Sequence, residues 1–312
     1  MIRNLASLVF YGRFLNSFSV LGFNRRSRHW EPLAWNFTGQ RWIVTGATGG
    51  IGRALVLAGL EAGAEVWAIA RDPAKLAALK QAASHPDRLY TEQCDLSSLV
   101  GVRQLAEGTA FAGLRIDALI NNVGVLLNDF SRSEEGLEMS LATNLLGHFV
   151  LTESLVEQGV LGTDATVIEV SSGGMYGTPL TLDDMFEADS DGWDGMRAYA
   201  FHKRAQVELV RAWNRRWPDG PTCQVMHPGW VDTAGVQSSL PRFRATLRKV
   251  LRTPEQGADT LLWLMAERPA WPEEGGIWLD RQLDSEHAFC YTRRAYGDAD
   301  ELYELLVALT AP

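Results

Sequence analysis

The sequence is poor in cysteine, in lysine and in long apolar runs. Its three cysteines, Cys94, Cys223 and Cys290, lie far apart, and none belongs to a Cys-x-x-Cys pair. Neither a metal site nor a redox motif is therefore indicated. The low, odd count is typical of a reducing compartment, and the cytoplasm is the default expectation.

Basic charge is also scarce. Lys and Arg together number 29 against 38 Asp and Glu, which gives a net charge of −9 at pH 7. A nucleic-acid partner would need a basic face, so this composition argues against one. Lysine occurs only at Lys75, Lys80, Lys203 and Lys249, so a lysine at a motif position is informative.

The amino-acid composition and the length are those of a globular protein. Hydrophobic residues make up 46% and charged residues 21%, ordinary values for a chain that buries a core. A length of 312 residues fits one large α/β domain with extensions or, less well, two small domains. No linker and no internal repeat is visible, so we expect a single domain over residues 39–312 after an extension over residues 1–38.

The first 38 residues are the least ordinary part of the chain. Apolar side chains at helical spacing predict an amphipathic helix from Ile2 to Tyr11. The helical spacing of the apolar residues ends at Gly12 and Arg13. Polar residues interrupt the apolar stretch that follows, so neither a spanning helix nor a cleaved signal peptide is expected. Three interpretations stay open: a helix packed on the protein's own body, a peripheral membrane contact through residues 1–23, and a lid over an apolar pocket.

A glycine-dense turn organises the rest of the chain. The apolar run Trp42–Val44 predicts a buried strand, Thr45–Gly52 a turn, and Ala54–Ala62 a helix. Strand, glycine turn and helix in this order are typical of a phosphate cradle, because glycines let the backbone approach a pyrophosphate at the helix start. The alternative is an ordinary tight turn between a strand and a helix.

The glycine spacing fits two patterns. Thr-Gly-x-x-x-Gly-x-Gly runs through Gly46, Gly50 and Gly52, and Gly-x-x-Gly-x-x-Gly runs through Gly46, Gly49 and Gly52. Neither is the Gly-x-Gly-x-x-Gly of the usual dinucleotide fold. The two patterns belong to different enzyme classes, so the turn alone leaves the choice open.

The next strand ends carry polar residues that suit a dinucleotide. Arg71 follows the predicted strand Glu65–Ala70, and an arginine at that place pairs with a 2′-phosphate, which favours NADP. Asp95 follows the strand Arg88–Cys94, where it can cap the next helix or bond an adenine amino group. The strand that begins at Asp117 runs into a turn suited to ligand contact, with Asn121, Asn122 and Gly124.

The middle of the chain supplies candidate catalytic residues. A helix predicted from Glu134 to Gln158 carries Asn144, and an asparagine inside a helix needs a hydrogen bond or a function. The strand Thr166–Val170 delivers Ser171 and Ser172 at its end, and a long loop to Gly195 follows. A helix over residues 195–217 then carries Tyr199 and Lys203, which share one face at a spacing of four residues.

The last third is predicted to finish the α/β pattern. A sixth strand, Thr222–Met226, leads into His-Pro-Gly-Trp-Val-Asp-Thr over residues 227–233. Helices are predicted at Phe243–Leu251, Pro254–Met265 and Asp298–Leu309, with a strand at Ile277–Leu279.

Taken in order, these motifs resemble the short-chain dehydrogenase/reductase family. The likeness is strongest to the classical, retinol-dehydrogenase-like branch of the family. Within that branch it is strongest to the vertebrate proteins called dehydrogenase/reductase family member twelve. The resemblance covers nearly the whole chain and implies a doubly wound Rossmann-type three-layer sandwich around a central parallel sheet of about seven strands. It also selects the register through Gly46, Gly50 and Gly52. Val123 departs from the family's usual alanine.

The resemblance implies which residues act. Asn144, Ser172, Tyr199 and Lys203 would be catalytic, with Ser171 as the alternative if the register slips by one. The residues implied for cofactor binding are Gly46, Thr48, Gly50, Ile51, Gly52, Arg71, Asp95, Leu96, Asn122, Val123, Gly124, Tyr199, Lys203, Pro228, Gly229, Val231 and Thr233.

The implied activity is reversible hydride transfer between NADP(H), with NADPH preferred over NADH, and a carbonyl or alcohol. Tyr199 would be the general acid/base, with its pKa lowered by Lys203 and the positive nicotinamide. Abundant tryptophans and the apolar N-terminus favour a small lipophilic substrate, and an oligomer stays open. The alternatives are a catalytically silent NADP-binding scaffold or sensor and, more remotely, an epimerase or dehydratase.

Overall fold

A computed structural model describes residues 12–31, 33–183, 190–294 and 297–311. The strands are β1 (Arg41–Thr45), β2 (Glu65–Ala70), β3 (Leu89–Gln93), β4 (Ile116–Asn121), β5 (Leu161–Val170), β6 (Thr222–Met226), β7 (Ile277–Leu279) and β8 (Gln282–Asp284). Besides the helical residues 12–18, the helices of six or more residues within the described ranges are α1 (Val20–Ser27), α2 (Gly50–Glu61), α3 (Pro73–Ala82), α4 (Leu99–Glu107), α5 (Gly147–Glu157), α6 (Gly195–Arg216), α7 (Ala234–Ser239), α8 (Pro241–Leu247), α9 (Pro254–Glu267) and α10 (Ala299–Leu309).

The strands form one sheet in the order β3-β2-β1-β4-β5-β6-β7-β8. Val44 of β1 pairs in parallel with Ala68 of β2 on one side and Ile120 of β4 on the other. The chain therefore reverses its direction of travel across the sheet between β1 and β4, where doubly wound sheets bind nucleotides. The expected Rossmann-type fold is confirmed.

Both faces of the sheet are buried, as a parallel sheet requires. Trp42 and Val44 of β1 face one apolar cluster, which is completed by side chains of α2, α3 and α9. Ile43, between them, faces a second cluster formed with α4, α5, α6 and α10. The helices that complete these two clusters form the outer layers of the three-layer sandwich.

The structure adds one strand to the seven that were expected. β8 pairs with β7 in antiparallel fashion, and its three residues are exposed. The turn between them places Asp280 and Arg281 at positive φ, 52° and 61°. The sequence lacks the Asn-Gly or Asp-Gly pair that usually marks such a turn, so the hairpin was not predicted.

Two predicted helices begin elsewhere. The helix expected from Glu134 starts at Met139, because the Glu138 side chain accepts hydrogen bonds from the backbone N–H groups of Ser140 and Leu141 and so caps it. The helix expected at 243–251 is α8, Pro241–Leu247, and the preceding α7 was not predicted.

The predicted amphipathic helix from Ile2 to Tyr11 lies outside the described residues. Residues 12–18 are helical, and the Ser19 hydroxyl accepts from Leu21 N to cap α1. Phe14 and Phe18 are buried in the core, so this part of the extension packs on the protein's own body. Over the described ranges, the structure shows no helix that is both long and apolar enough to span a membrane.

Candidate active site

The glycine turn after β1 has the shape of a phosphate cradle. Gly46 and Gly50 both have positive φ, 64° and 50°, which favours glycine. α2 starts at Gly50, and its N-cap, Gly49, provides no side-chain hydrogen bond to the first turn. The first N–H groups of this helix are therefore suited to an anionic group.

Steric contacts distinguish the two glycine registers. A Cβ added at Gly52 would lie 2.4 Å from Gly46 O, and one at Gly50 would lie 3.0 Å from Thr233 Cγ2. A Cβ at Gly49 would meet no atom within 4 Å. Close packing and positive φ therefore require glycine at Gly46, Gly50 and Gly52 but not at Gly49, which is the spacing of the first pattern.

The turn is tied to the end of β4 by a hydrogen-bond hub at Thr45. Its Oγ1 donates to Ile120 O at 3.2 Å and accepts from the backbone N–H groups of Asn122 and Val123 at 2.9 and 3.1 Å. Asn122 Nδ2 donates to Thr45 O at 2.9 Å. Thr45 was not among the predicted site residues, although it opens the Thr-Gly motif.

Other predicted cofactor residues surround this turn. Ile51 and Val231 both approach α9 at Gly257, where an added Cβ would lie 3.0 Å from Ile51 Cγ1 and 2.8 Å from Val231 Cγ2. Leu96 is buried after β3, and Thr48 is half-buried within the turn. The structure thus brings residues from four separate segments to one edge of the sheet.

Arg71 and Asp95 lie further along the same edge. Their side chains are 4.0 Å apart, and the Arg71 side chain is 73% exposed, which leaves its guanidinium accessible to a ligand. Both residues line a surface cavity of about 490 Å³ bounded on its other side by α4. Asp95 accepts hydrogen bonds from Ser97, and the helix α4 is capped by Ser98.

The two serines after β5 have different environments. Ser171 is buried, and its hydroxyl donates to the backbone carbonyl of Lys203 at 2.7 Å. Ser172 accepts from Gly174 N, and a Cβ added at Gly174 would lie 3.8 Å from Ser172 Oγ and 3.6 Å from Tyr199 Cε1. The structure therefore places Ser172, not Ser171, beside the tyrosine.

Tyr199 and Lys203 lie one turn apart on α6, which begins after its N-cap, Asp194. Lys203 Nζ lies 5.6 Å from the centre of the Tyr199 ring and donates to Val170 O at 2.8 Å. Burial lowers the pKa of Lys203 to about 8, and the negative charge of Glu169 opposes that shift. Burial raises the pKa of Tyr199, and the Ser172 hydrogen bond opposes that rise. The protein alone therefore does not produce the lowered tyrosine pKa that was expected.

Asn144 lies in a five-residue π-helix, Ala142–Leu146, that leads into α5. Its side chain accepts from Val125 N at 2.7 Å and donates to Val125 O at 2.8 Å. Its backbone carbonyl accepts from Gln206 Nε2 at 2.9 Å. Single π-helical turns often mark functional sites, and this one joins the loop after Gly124 to Gln206 of α6.

Beneath this group lies a buried polar cluster that sequence reasoning missed. Glu169 of β5 is fully buried and accepts from Asn121 Nδ2 at 2.8 Å, and its other oxygen lies 2.9 Å from His148 Nδ1. Gln206 Nε2 lies 3.3 Å from the same histidine nitrogen. A glutamate inside an apolar strand was the available signal, because a buried carboxylate needs such partners.

The loop after β6 closes the site on the far side. Thr233 caps α7, and Pro228 O accepts from Arg252 Nη1 at 3.0 Å. Gly229 has φ 74°, and its N–H donates to His227 Nδ1 at 3.4 Å. An added Cβ at Gly229 would lie 2.5 Å from Arg252 Nε, so this loop is packed tightly against the arginine.

Tyrosine, lysine and serine side chains grouped at the edge of a doubly wound sheet that also carries a glycine turn are typical of a class of nucleotide-dependent enzyme. The family described as short chain dehydrogenase matches residues 40–182. Dehydrogenase/reductase SDR family member 12 of Bos taurus is 33% identical over 97% of this chain and 97% of its own length. The chain belongs to the short-chain dehydrogenase/reductase family.

Further relatives support the same branch. Polyprenol dehydrogenase of Mus musculus is 32% identical over 78% of this chain and 76% of its own length. Retinol dehydrogenase 11 of Homo sapiens is 30% identical over 70% of each chain. The resemblance to retinol-dehydrogenase-like and member-twelve-type proteins is confirmed.

Solved structures agree on the fold. The Pseudomonas aeruginosa RhlG/NADP active-site complex superposes with a TM-score of 0.59 at 23% identity, over 75% of this chain and 92% of that one. Family membership makes the protein an oxidoreductase that interconverts a carbonyl and an alcohol with NAD or NADP.

Proposed function

We propose that the protein is an NADPH-dependent reductase of a small lipophilic carbonyl, acting reversibly on the corresponding alcohol. The observation that carries the proposal is the placement of Tyr199 next to both Ser172 and Lys203. A Cβ added at Gly174 would meet the Tyr199 ring and the Ser172 hydroxyl at 3.6 and 3.8 Å, and Lys203 Nζ lies 5.6 Å from the ring centre. When bound, the nicotinamide supplies the hydride, and the protein positions the substrate and manages the proton.

Ser172 and Tyr199 act on the substrate oxygen. Ser172 donates a hydrogen bond that fixes this oxygen near the tyrosine, and Tyr199 Oη donates the proton in the reductive direction. Lys203 stabilises the phenolate that remains, because its ammonium lies beside the ring. Asn144 holds the loop after Gly124 in place and presents its backbone carbonyl next to the catalytic helix.

The phosphates and adenosine would be held by the edge described above. The glycine turn and the start of α2 receive the pyrophosphate, and Thr233 covers the turn near Gly50. Arg71 pairs with a 2′-phosphate, which is the basis of the preference for NADPH over NADH. Its exposed side chain and its loose contact with Asp95 support this role.

The proposed substrate site lies beside the start of α6. A cavity of about 250 Å³ there is lined by several apolar side chains, Leu126, Leu127, Trp193, Met196 and Leu240. The polar residues Asn128 and Asp194 also line this cavity, so its aromatic and aliphatic part would take the apolar body of a carbonyl substrate. Relatives named for polyprenol and retinol support the same substrate class.

The test is Tyr199→Phe in an assay of NADPH oxidation across aliphatic, aromatic and terpenoid carbonyls. The variant keeps the ring but loses the proton donor, so kcat should fall by about 10²- to 10⁴-fold. Binding of NADPH, followed by tryptophan fluorescence, should stay at the wild-type value. Full turnover in the variant would refute the mechanism, and a wild type silent on the whole panel would favour a non-catalytic scaffold.

A further inference from the structure

Residues 12–27, here called the N-terminal segment, pack against the catalytic end of the sheet. The Phe14 and Phe18 rings stack at 4.3 Å between centroids, and Phe18 lies 5.7 Å from Tyr176 and 4.6 Å from His227. Phe18 is only 2% exposed. The segment is therefore part of the core above β5 and β6 and no surface appendage.

Phe18 touches the two loops that follow those strands. A Cβ added at Gly173, the residue after Ser172, would lie 2.7 Å from Phe18 Cε2. A Cβ added at Gly229 would lie 2.6 Å from Phe18 O, and Trp230 N donates to that carbonyl at 2.8 Å. Glycine at both positions is what lets the segment approach so closely.

Arg252, between α8 and α9, joins these parts. It is 1% exposed, and its guanidinium donates to Phe18 O at 2.9 Å, Ser17 O at 2.8 Å and Pro228 O at 3.0 Å. Its two remaining donors reach the two carboxylate oxygens of Asp280 at 2.6 and 2.9 Å. All five N–H donors of an arginine are thus used, and three of them hold backbone carbonyls from two distant segments.

Asp280 completes the arrangement from the turn between β7 and β8. It is 1% exposed and also accepts from Arg26 of α1, which in turn donates to Ser17 O at 2.5 Å. Burial, followed by the charges of Arg252 and Arg26, lowers the pKa of His227 to about 3. The histidine under Phe18 is therefore neutral at physiological pH and adds no competing positive charge.

We propose that Arg252 is a positioning residue that fastens the Pro228–Gly229 loop to the N-terminal segment, so that cofactor binding and docking of this segment are energetically coupled. The inference rests on the proposed function, in which that loop contacts the cofactor. The Ser17 and Phe18 carbonyls bind two donors of the same planar guanidinium that holds the loop carbonyl, so a shift of the segment changes the orientation of the group that holds the loop. Because coupling is reciprocal, a ligand that stabilises the loop must also stabilise the segment.

The direct test measures amide hydrogen exchange of the full chain with and without saturating NADPH. Peptides within residues 12–27 should exchange about tenfold more slowly with NADPH, since local opening becomes linked to loss of the ligand. Peptides from α10, whose ion pairs lie at the C-terminal end of α6 on Arg215 and Arg216, serve as the unlinked control. Protection of the glycine turn without protection of residues 12–27 would overturn the inference and leave the proposed function intact. Absence of any NADPH binding would refute the cofactor proposal instead.

A second test compares Arg252→Lys with Arg211→Lys. Lysine keeps the charge opposite Asp280 but cannot reach all five acceptors, so the Kd for NADPH should rise by about tenfold or more. Arg211→Lys disturbs a partly buried ion-pair network with Glu208 and Glu286 away from the loop, and its Kd should not change. An unchanged Kd in a folded Arg252→Lys protein would overturn the inference. If that variant fails to fold, the exchange experiment on the wild type decides.

Discussion

The two ends of the site are built in different ways. At the nucleotide end, the glycine turn lies above apolar strands, and its charged residue, Arg71, is mostly exposed. At the catalytic end, Lys203 and Glu169 are both buried. Lys203 donates a hydrogen bond to Val170 O, and Glu169 accepts one from Asn121. Exposed charge and close backbone packing suit ligand binding, whereas buried charge suits the control of a proton. Substitutions at the nucleotide end should therefore change the affinity for NADPH, whereas substitutions at the catalytic end should change the pH dependence of turnover.

The largest expected effect on NADPH binding is at the nucleotide end, in Gly52→Ala. The new Cβ would collide with Gly46 O, 2.4 Å away, so the turn must shift. Overpacking of this kind costs roughly 1–3 kcal/mol, and the lost shape should weaken NADPH binding by up to about 150-fold. Isothermal titration with NADPH measures the change, and thermal unfolding reports the accompanying loss of stability.

The matched control is Gly49→Ala in the same turn. Gly49 has an extended backbone, φ −151°, and no atom within 4 Å of an added Cβ. Its NADPH affinity should therefore stay near that of the wild type. Equal losses in both variants would mean that the turn binds in the other glycine register.

The site residues that the sequence predicted belong to short local motifs, whereas those it did not predict depend on contacts between distant segments. The glycine turn, Arg71 and the pair Tyr199 and Lys203 are each defined within a few residues, so local spacing and family order were sufficient to propose them. The contact of Arg252 with Phe18 joins residues 234 positions apart. No local pattern marks such a contact, because only the folded sheet brings the two segments together.

The same reasoning applies to the parts of the fold that were missed. β8 is three exposed residues held by pairing with β7, and its turn uses Asp280 and Arg281 at positive φ. The first turn of the helix before Asn144 is set by the Glu138 cap. Strand pairing fixes the first element, and a glutamate side chain that replaces the usual Ser, Thr, Asp or Asn cap fixes the start of the second.

A smaller effect is expected for Arg71→Ala. A charge-assisted pair with a 2′-phosphate contributes about 1.5–3 kcal/mol, so NADPH affinity should fall by about ten- to a hundredfold. NADH lacks that phosphate, and its affinity should not change. Titration of both cofactors measures the ratio, and added salt should weaken NADPH binding to the wild type more than to the variant because the site is exposed.

Lys75→Ala is the control for this prediction. Lys75 is a nearby exposed lysine that pairs with Asp72 and faces neither Asp95 nor the cavity lining. If its loss lowers NADPH affinity as much as the loss of Arg71, the preference reflects general positive charge and no specific pair. An Arg71→Ala protein with an unchanged NADPH-to-NADH ratio would contradict the assignment outright.

The smallest expected effect is at the catalytic end, in Glu169→Gln, and it concerns pH. The charge of Glu169 raises the pKa of Lys203 against burial, which lowers it to about 8. Lys203 is protonated below that pH and loses its charge above it, so turnover that needs the ammonium falls on the alkaline side. Removing the negative charge lowers the lysine pKa further, and the alkaline limb of kcat should move down by about one pH unit.

Glutamine keeps the shape of the side chain and can still accept from Asn121, so the effect on packing should be small. Glu153→Gln is the control, because it removes another carboxylate that is bonded to Trp213 and does not act on Lys203. Both variants should bind NADPH like the wild type, and only Glu169→Gln should shift the pH profile. If the pH profile of kcat moves equally in both variants, or in neither, the buried charge of Glu169 has only a structural role. The two ends of the site would then not differ in the way proposed, with ligand binding at one end and control of a proton at the other.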